Sequence, residues 1–234
     1  MSENAKPEKA MSAQLTPLPA SIIRDAVARA LAEDLGLSGD ITAQACLPPE
    51  AVARVAMVAR RAGVVSGCAV AVETFRQMDP AITVTILKPD GVRIAAGETI
   101  LSVEGDARAV LTGERTALNF MGRMCGIATL TAAYVERVSH TRARILDTRK
   151  TTPGLRAFEK YAVLCGGGVN HRFGLFDAIL IKDNHIGVAG GVAPALRRAK
   201  RHASSMVKIE IEVDTLDQLD EVLAEGADIV LLDN

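Results

Sequence analysis

The sequence predicts an α/β protein in two parts, a small N-terminal α+β domain followed by an α/β barrel. Three observations carry that expectation. After residue 140 the chain alternates strand, helix and strand, the rhythm of repeated right-handed crossovers onto a parallel sheet. Before it, short strands and turns surround one or two helices, the pattern of a separate α+β unit. The composition is 49% hydrophobic but only 3% aromatic, with no Trp, so Ala, Val, Leu and Ile must fill the core. That aliphatic bias suits helices laid over parallel strands.

The first twenty residues, with Pro7, Pro17 and Pro19, read as a mobile tail over 1–19. They lack the apolar core of a secretory peptide, and no run approaches the roughly 20 apolar residues of a membrane span. Ser21 is the expected cap of a helix whose apolar positions Ile22, Ile23, Ala26, Ala30, Leu31 and Leu35 recur near 3.6 residues, with Gly36 as its stop. Residues 39–42 read as a loop closed by Pro48-Pro49. Val52 to Ala59 alternates as a strand, and Gly63 to Gly67 feeds a helix over 69–78. A strand over 82–87 runs into Lys88-Pro89-Asp90-Gly91, which carries a type I turn signature. Short strands follow at 92–94 and 99–103. Residues 107–138 favour helix but contain Gly113, Gly122 and Gly126, so two helices or a kinked one are expected as a hinge. The expected domains are 20–115 and 116–234.

The second part should hold strands at 143–147, 178–182, 208–213 and 228–233. Helices over 153–165, 192–202 and 216–225 should lie between them. No GxGxxG follows a strand and no GxxxxGK[ST] occurs, which disfavours dinucleotide-binding and P-loop folds and leaves the barrel. Four strands fall short of the about eight of a closed barrel, so the barrel reads as incomplete, cut short at Asn234.

Charge gathers where strands end. From Arg142 to Lys182 there are eight Lys or Arg against three Asp or Glu, in a chain of net charge -1. A local cation excess on a near-neutral protein points to small anionic ligands, not to nucleic acid. In parallel α/β folds ligands bind at the carboxyl ends of strands, where Arg149, Lys150, His171, Arg172 and Lys182 are expected to converge. Arginine forks pair bidentately with carboxylates, so Arg115, Arg149 and Arg172 suit a ligand with two or more of them; Lys150 and Lys182 suit phosphate or pyrophosphate. Arg137, Arg142 and Arg197 read as surface charges.

Glu210, Glu212 and Asp214 share one strand face, with Ile209, Ile211 and Val213 on the other. Buried acids need partners or a metal, and with Asp233 they offer oxygen ligands suited to Mg²⁺. Glu210 or Asp214 facing solvent or capping a helix is the competing reading. His185 is a candidate ligand or base, but no histidine spacing suggests zinc. Gly166-Gly167-Gly168 reads as a helix stop more than as a phosphate cradle. Cys46, Cys68, Cys125 and Cys165 form no CxxC pair and read as lone buried thiols of a reducing cytoplasm.

The stretch DTRKTTPGLRAFEKYAVLCGGGVNHRFGLFDAILIKDNH, residues 147–185, resembles the signature of the quinolinate phosphoribosyltransferases. EDLGLSGDIT, GERTALNF, IEIEVDTLDQL and IVLLDN resemble the same family, in the same order. The resemblance runs from about residue 20 to the end. It implies an N-terminal sandwich domain and an open barrel of the type II phosphoribosyltransferase kind. It also implies a homodimer, or a hexamer of dimers; the thiols, charge pattern and hydropathy above add the expectation of a cytoplasmic protein that neither binds nucleic acid nor enters a membrane. The implied reaction joins quinolinate to 5-phosphoribosyl-1-pyrophosphate with Mg²⁺, releasing pyrophosphate and CO₂ and giving nicotinate mononucleotide for NAD biosynthesis. By motif position Arg149, His171 and Arg172 would hold the quinolinate carboxylates, with Arg115 reaching in from the partner subunit. Lys150 and Lys182 would contact phosphate, and Glu212 and Asp233 would lie beside ribose and metal. The family pattern continues past Asn234 with two strands whose glycine-rich loops hold the ribose phosphate. Without them, the alternative is a non-catalytic fragment that binds quinolinate or dimerises.

Overall fold

A computed structural model describes residues 15–233. Most of the expected tail, residues 1–14, lies outside the described residues; 15–19 are irregular. The chain divides into two compact units, one ending at Asn170 and the other beginning at His171.

In the first unit, α1 (Ala20–Leu35) buries Ile23, Ala26, Val27 and Leu31, as its periodicity requires. Ser21 is not its cap. Pro19 holds the N-cap position, and no side chain bonds the first turn. Gly36, at φ +53, ends the helix. The loop expected at 39–42 instead enters a helix, α2 (Ile41–Cys46). Asp40 caps it, its Oδ1 accepting from Ala43 N at 2.9 Å. An Asp immediately before an alanine-containing turn is a readable start signal that loop-like Ser-Gly-Asp masked.

The strands β1 (Val52–Val58), β3 (Thr83–Ile86) and β5 (Thr99–Asp106) form an antiparallel sheet in the order β1-β5-β3. Ala53, Val55 and Met57 face its core. β2 (Gly63–Val64) and β4 (Arg93–Ile94) make a second small pair. α3 (Cys68–Met78) follows, with Cys68 N donating to Asp90 Oδ1. The turn expected at 88–91 closes one residue later, with Val92 N donating to Pro89 O.

Residues 107–138 form one continuous helix, α4 (Ala107–Val138), not two. Interior glycines cost about 1 kcal/mol each relative to Ala, and the buried stripe of α4 overrides that. Gly113 admits Met78 and Phe75, where a Cβ would come within 3.1 Å of Met78. The boundary expected at 115/116 falls inside α4.

The strand expected at 143–147 reduces to a single parallel bridge, Leu146 to Val169. Among the described residues Val169 N to Ile145 O and Asp147 N to Val169 O tie it, and no ladder forms there. The next helix, α5 (Arg156–Cys165), starts three residues later than expected. Gly154, at φ +79, interrupts helical geometry after Pro153.

The second unit contains β6 (Ile179–Ile181), β7 (Ile209–Val213) and β8 (Ile229–Leu232), paired in parallel in that order. α7 (Val192–His202) and α8 (Leu216–Glu225) occupy the crossovers as expected. A short helix, α6 (Asp183–Ala189), was not legible, because seven residues are too few to show a period. Ile181, Leu196, Ile209, Ile211, Val213 and Val222 form this unit's core. No helix among the described residues is long and apolar enough to cross a membrane.

Candidate functional site

In the first unit the polypeptide leaves its single bridge at Asp147 and runs through Thr148 to Thr152 before α5 begins. Arg149 is half-buried and Lys150 exposed. The loop is stiff. Lys150 N donates to Thr148 Oγ1 at 3.0 Å and Thr151 N to Arg149 O at 2.9 Å. Arg149 Nε is buried and has no hydrogen-bond partner among the described residues, a cost that a bound anion would remove. Arg115 is exposed on α4.

Beneath the loop lies a polar network that sequence reading overlooked. Lys160 Nζ meets Asp147 Oδ1 at 2.5 Å, their side chains 2% and 7% exposed. With its amide oriented to suit its neighbours, Asn170 donates to Asp147 Oδ2 at 2.7 Å and to Lys160 O at 2.9 Å. Arg123 of α4 pairs with Glu159, whose Oε2 accepts from Thr152 N at 3.2 Å. Burial alone would raise the Glu159 carboxyl; the Arg123 and Thr152 bonds outweigh it and hold the group below its ordinary value. A signal was present: Glu159 falls at helical spacing between Leu155 and Ala162, on the stripe that α5 buries. An acid there needs a partner.

Gly166 and Gly168 are packing glycines, as the helix-stop reading holds. A Cβ on Gly166 would lie 2.4 Å from Ala128 O, and one on Gly168 2.7 Å from Val163 Cγ1. Cys68 and Cys165 are buried, but Cys46 is exposed, contrary to expectation. Burial pushes the Cys165 thiol up to about 11, so it stays protonated and inert.

In the second unit, the carboxyl edge of the parallel sheet carries charge. Lys182 follows β6, Glu212 lies near the end of β7, and Asp233 follows β8. The register pairs Ile181 with Ile211 and Val213 with Leu232, which sets these three at one edge. Lys182 Nζ donates to Glu212 Oε2 at 3.0 Å, with Lys182 45% exposed. Asp233 is exposed. Glu210, on the same face as Glu212, is buried and meets His171 Nε2 at 2.5 Å. Glu210 is therefore neither solvated nor a cap. Arg172 Nη1 donates to Ala178 O, within a turn where Asp177 accepts from Phe173 N and Gly174 N.

Two candidates leave the site. His185 Nδ1 accepts from Lys182 N at 3.0 Å and so shapes the start of α6. Asp214 is exposed, and the cap of α8 is Thr215, paired reciprocally with Gln218. No cluster of three or more His, Cys, Asp or Glu among the described residues forms a ready metal site.

Taken unit by unit, the Arg149–Lys150 loop of the first suits an anion, and the sheet edge of the second offers a cation, Lys182, beside acids suited to developing positive charge. Comparison with known proteins agrees. Residues 40–125 match the N-terminal domain, and residues 127–234 the C-terminal domain, of quinolinate phosphoribosyl transferase. A Mycobacterium leprae protein named nicotinate-nucleotide pyrophosphorylase (carboxylating) is 49% identical over 213 residues, covering 90% of this chain and 75% of that protein. A Bacillus subtilis protein named as a probable enzyme of that kind is 44% identical over 202 residues, covering 86% and 69%. The solved nicotinate-nucleotide pyrophosphorylase of Francisella tularensis superposes with a TM-score of 0.90 at 43% identity, covering 94% of this chain and 78% of that one. The chain belongs to the quinolinate phosphoribosyltransferase family.

Proposed function

We propose that the chain transfers phosphoribosyl from 5-phosphoribosyl-1-pyrophosphate to quinolinate and then decarboxylates the adduct, as a step of NAD biosynthesis. The quinolinate ring nitrogen bonds to ribose C1 as the bond from C1 to pyrophosphate oxygen breaks. The cationic ring then accepts the electron pair left when the bond to the 2-carboxylate breaks. CO₂ departs, and a proton takes its place on the ring carbon, giving nicotinate mononucleotide. The observation that carries this reading is the Lys182–Glu212 pair at the carboxyl edge of the sheet, with Asp233 beside it, in a chain of this family.

Breaking the C1–oxygen bond builds positive charge on ribose and negative charge on pyrophosphate. Glu212 and Asp233 answer the first and Lys182 and Lys150 the second, by preorganised charge without a covalent nucleophile. Arg149 and Arg172 take quinolinate carboxylates, and His171, held by Glu210, presents its imidazole to the same ligand. Arg115 serves the active site of a partner copy in a homodimer. Mg²⁺ takes oxygen ligands, and Glu212 and Asp233 are the residues that would offer them. When bound, the ion neutralises charge on the leaving group. The free thiols and the small-molecule substrates fit a cytoplasmic enzyme.

The test is quinolinate binding and nicotinate mononucleotide formation in the unsubstituted chain and in Arg149→Ala and Arg172→Ala. Removing a charged, hydrogen-bonding partner should weaken quinolinate binding by about ten-fold or more. Unchanged binding in either variant overturns that residue's role, and failure of the unsubstituted chain to form product contradicts the proposed reaction.

A further inference from the structure

Three side chains on one face of α5 grip the loop that carries Arg149 and Lys150. Arg156, Glu159 and Lys160 stand at i, i+3 and i+4, so they project to the same side of the helix. Each holds a different point of the loop. Lys160 binds Asp147, where the loop begins. Arg156 Nε donates to Thr151 Oγ1 at 3.0 Å, and Thr151 in turn donates its backbone N–H to Arg149 O. Glu159 accepts from Thr152 N, where the loop ends, and is itself held by Arg123 of α4. We propose that Arg156, Glu159 and Lys160 are positioning residues, which fix the loop from Asp147 to Thr152 and thereby set the affinity of Arg149 and Lys150 for their anionic ligand.

The physics favours order held in advance. A free loop of this length loses backbone entropy on binding, and a loop already fixed loses little. Arg149 also keeps a buried Nε with no hydrogen-bond partner among the described residues, a cost that only a rigid surround sustains. Two of the three clamps are charge-assisted and largely shielded: Lys160 is 2% exposed and the Glu159 side chain 11%. Loosening one clamp should therefore act first on ligand affinity and less on the chemical step.

The inference rests on the proposed roles of Arg149 and Lys150 and, for its kinetic readout, on the proposed reaction; the exchange readout depends on neither. The experiment is hydrogen exchange over residues 148–152 together with quinolinate KM and kcat, in the full chain and in Glu159→Ala, Arg156→Ala and Glu159→Gln. Glu159→Ala leaves Arg123 free to meet solvent, so the fold should survive. We expect backbone exchange at Thr151 and Thr152 to accelerate and quinolinate KM to rise, each by about ten-fold, with a smaller change in kcat. Glu159→Gln keeps an acceptor for Thr152 N and should restore most of the loss. Unchanged exchange in folded Glu159→Ala overturns the clamp whether or not the chain turns over. Faster exchange with unchanged KM overturns its positioning role. An unsubstituted chain without turnover contradicts the reaction instead, and the exchange result still decides the clamp.

Discussion

Lys160 of the first unit and Lys182 of the second each meet one carboxylate, at 2.5 and 3.0 Å. Their surroundings separate them. Lys160 and Asp147 are almost wholly excluded from water, and Asn170 occupies the carboxylate's other oxygen. Lys182 is nearly half exposed at a sheet edge, and its partner Glu212 is 14% exposed. A buried pair whose carboxylate is bonded at both oxygens is costly to break and is shielded from a ligand. A half-exposed pair adds little stability and stays available for exchange with substrate. Distance alone does not distinguish a scaffolding charge from a working one; burial of both members does, or, for a half-exposed pair such as Arg123–Glu159, a further bond such as that from Thr152 N.

The sharpest way to break this contrast is Lys160→Met, which leaves Asp147 buried without its cation. Urea unfolding should show a loss of about 3–5 kcal/mol. A loss below 1 kcal/mol would place Lys160 with the exposed pairs. Lys182→Ala should do the opposite. Its unfolding free energy should change by no more than about 1 kcal/mol, while product formation falls by about a hundred-fold. A stability loss like that of Lys160→Met, with activity retained, would reverse the two assignments.

Much of this was legible in the sequence. Charges at the strand ends put Lys182, Glu212 and Asp233 at one sheet edge, where the parallel register β6-β7-β8 holds them. The register that sets Lys182 beside Glu212 follows from Ile181 pairing with Ile211. The supporting layer was not legible. Lys160 reaches Asp147 thirteen residues back, and Arg123 reaches Glu159 thirty-six residues on. Such pairs depend on how a helix docks, which local periodicity does not encode. The strand expected at 143–147 failed for a related reason: strand propensity needs neighbours, and Leu146 has a single bridge.

A smaller effect should appear on acidification. The Glu159 and Asp177 carboxyls are held below their ordinary values, 4.5 and 3.8, by hydrogen bonds that outweigh burial. A depressed carboxyl stabilises the fold fully above its unfolded pKa, and that stabilisation fades as pH falls through the folded one. The stability gap between the natural chain and Glu159→Gln should therefore narrow between about pH 5 and about pH 3. A gap that widens would mean the carboxylate is not the stabilising form. The smallest effect is expected for Arg197→Ala. Arg197, 56% exposed, pairs with Glu225 at 3.0 Å at the surface of the second unit. Its removal should leave both stability, to within about 0.5 kcal/mol, and turnover unchanged.

The most direct test of the central claim is CO₂ release from quinolinate labelled in its 2-carboxyl group. Phosphoribosyl pyrophosphate and Mg²⁺ are supplied, and the natural chain is run beside Lys182→Ala. Release that requires both additions and nearly vanishes in the variant is the predicted result. Release equal in the two chains, or none from the natural chain, would contradict the claim that this charged sheet edge performs phosphoribosyl transfer.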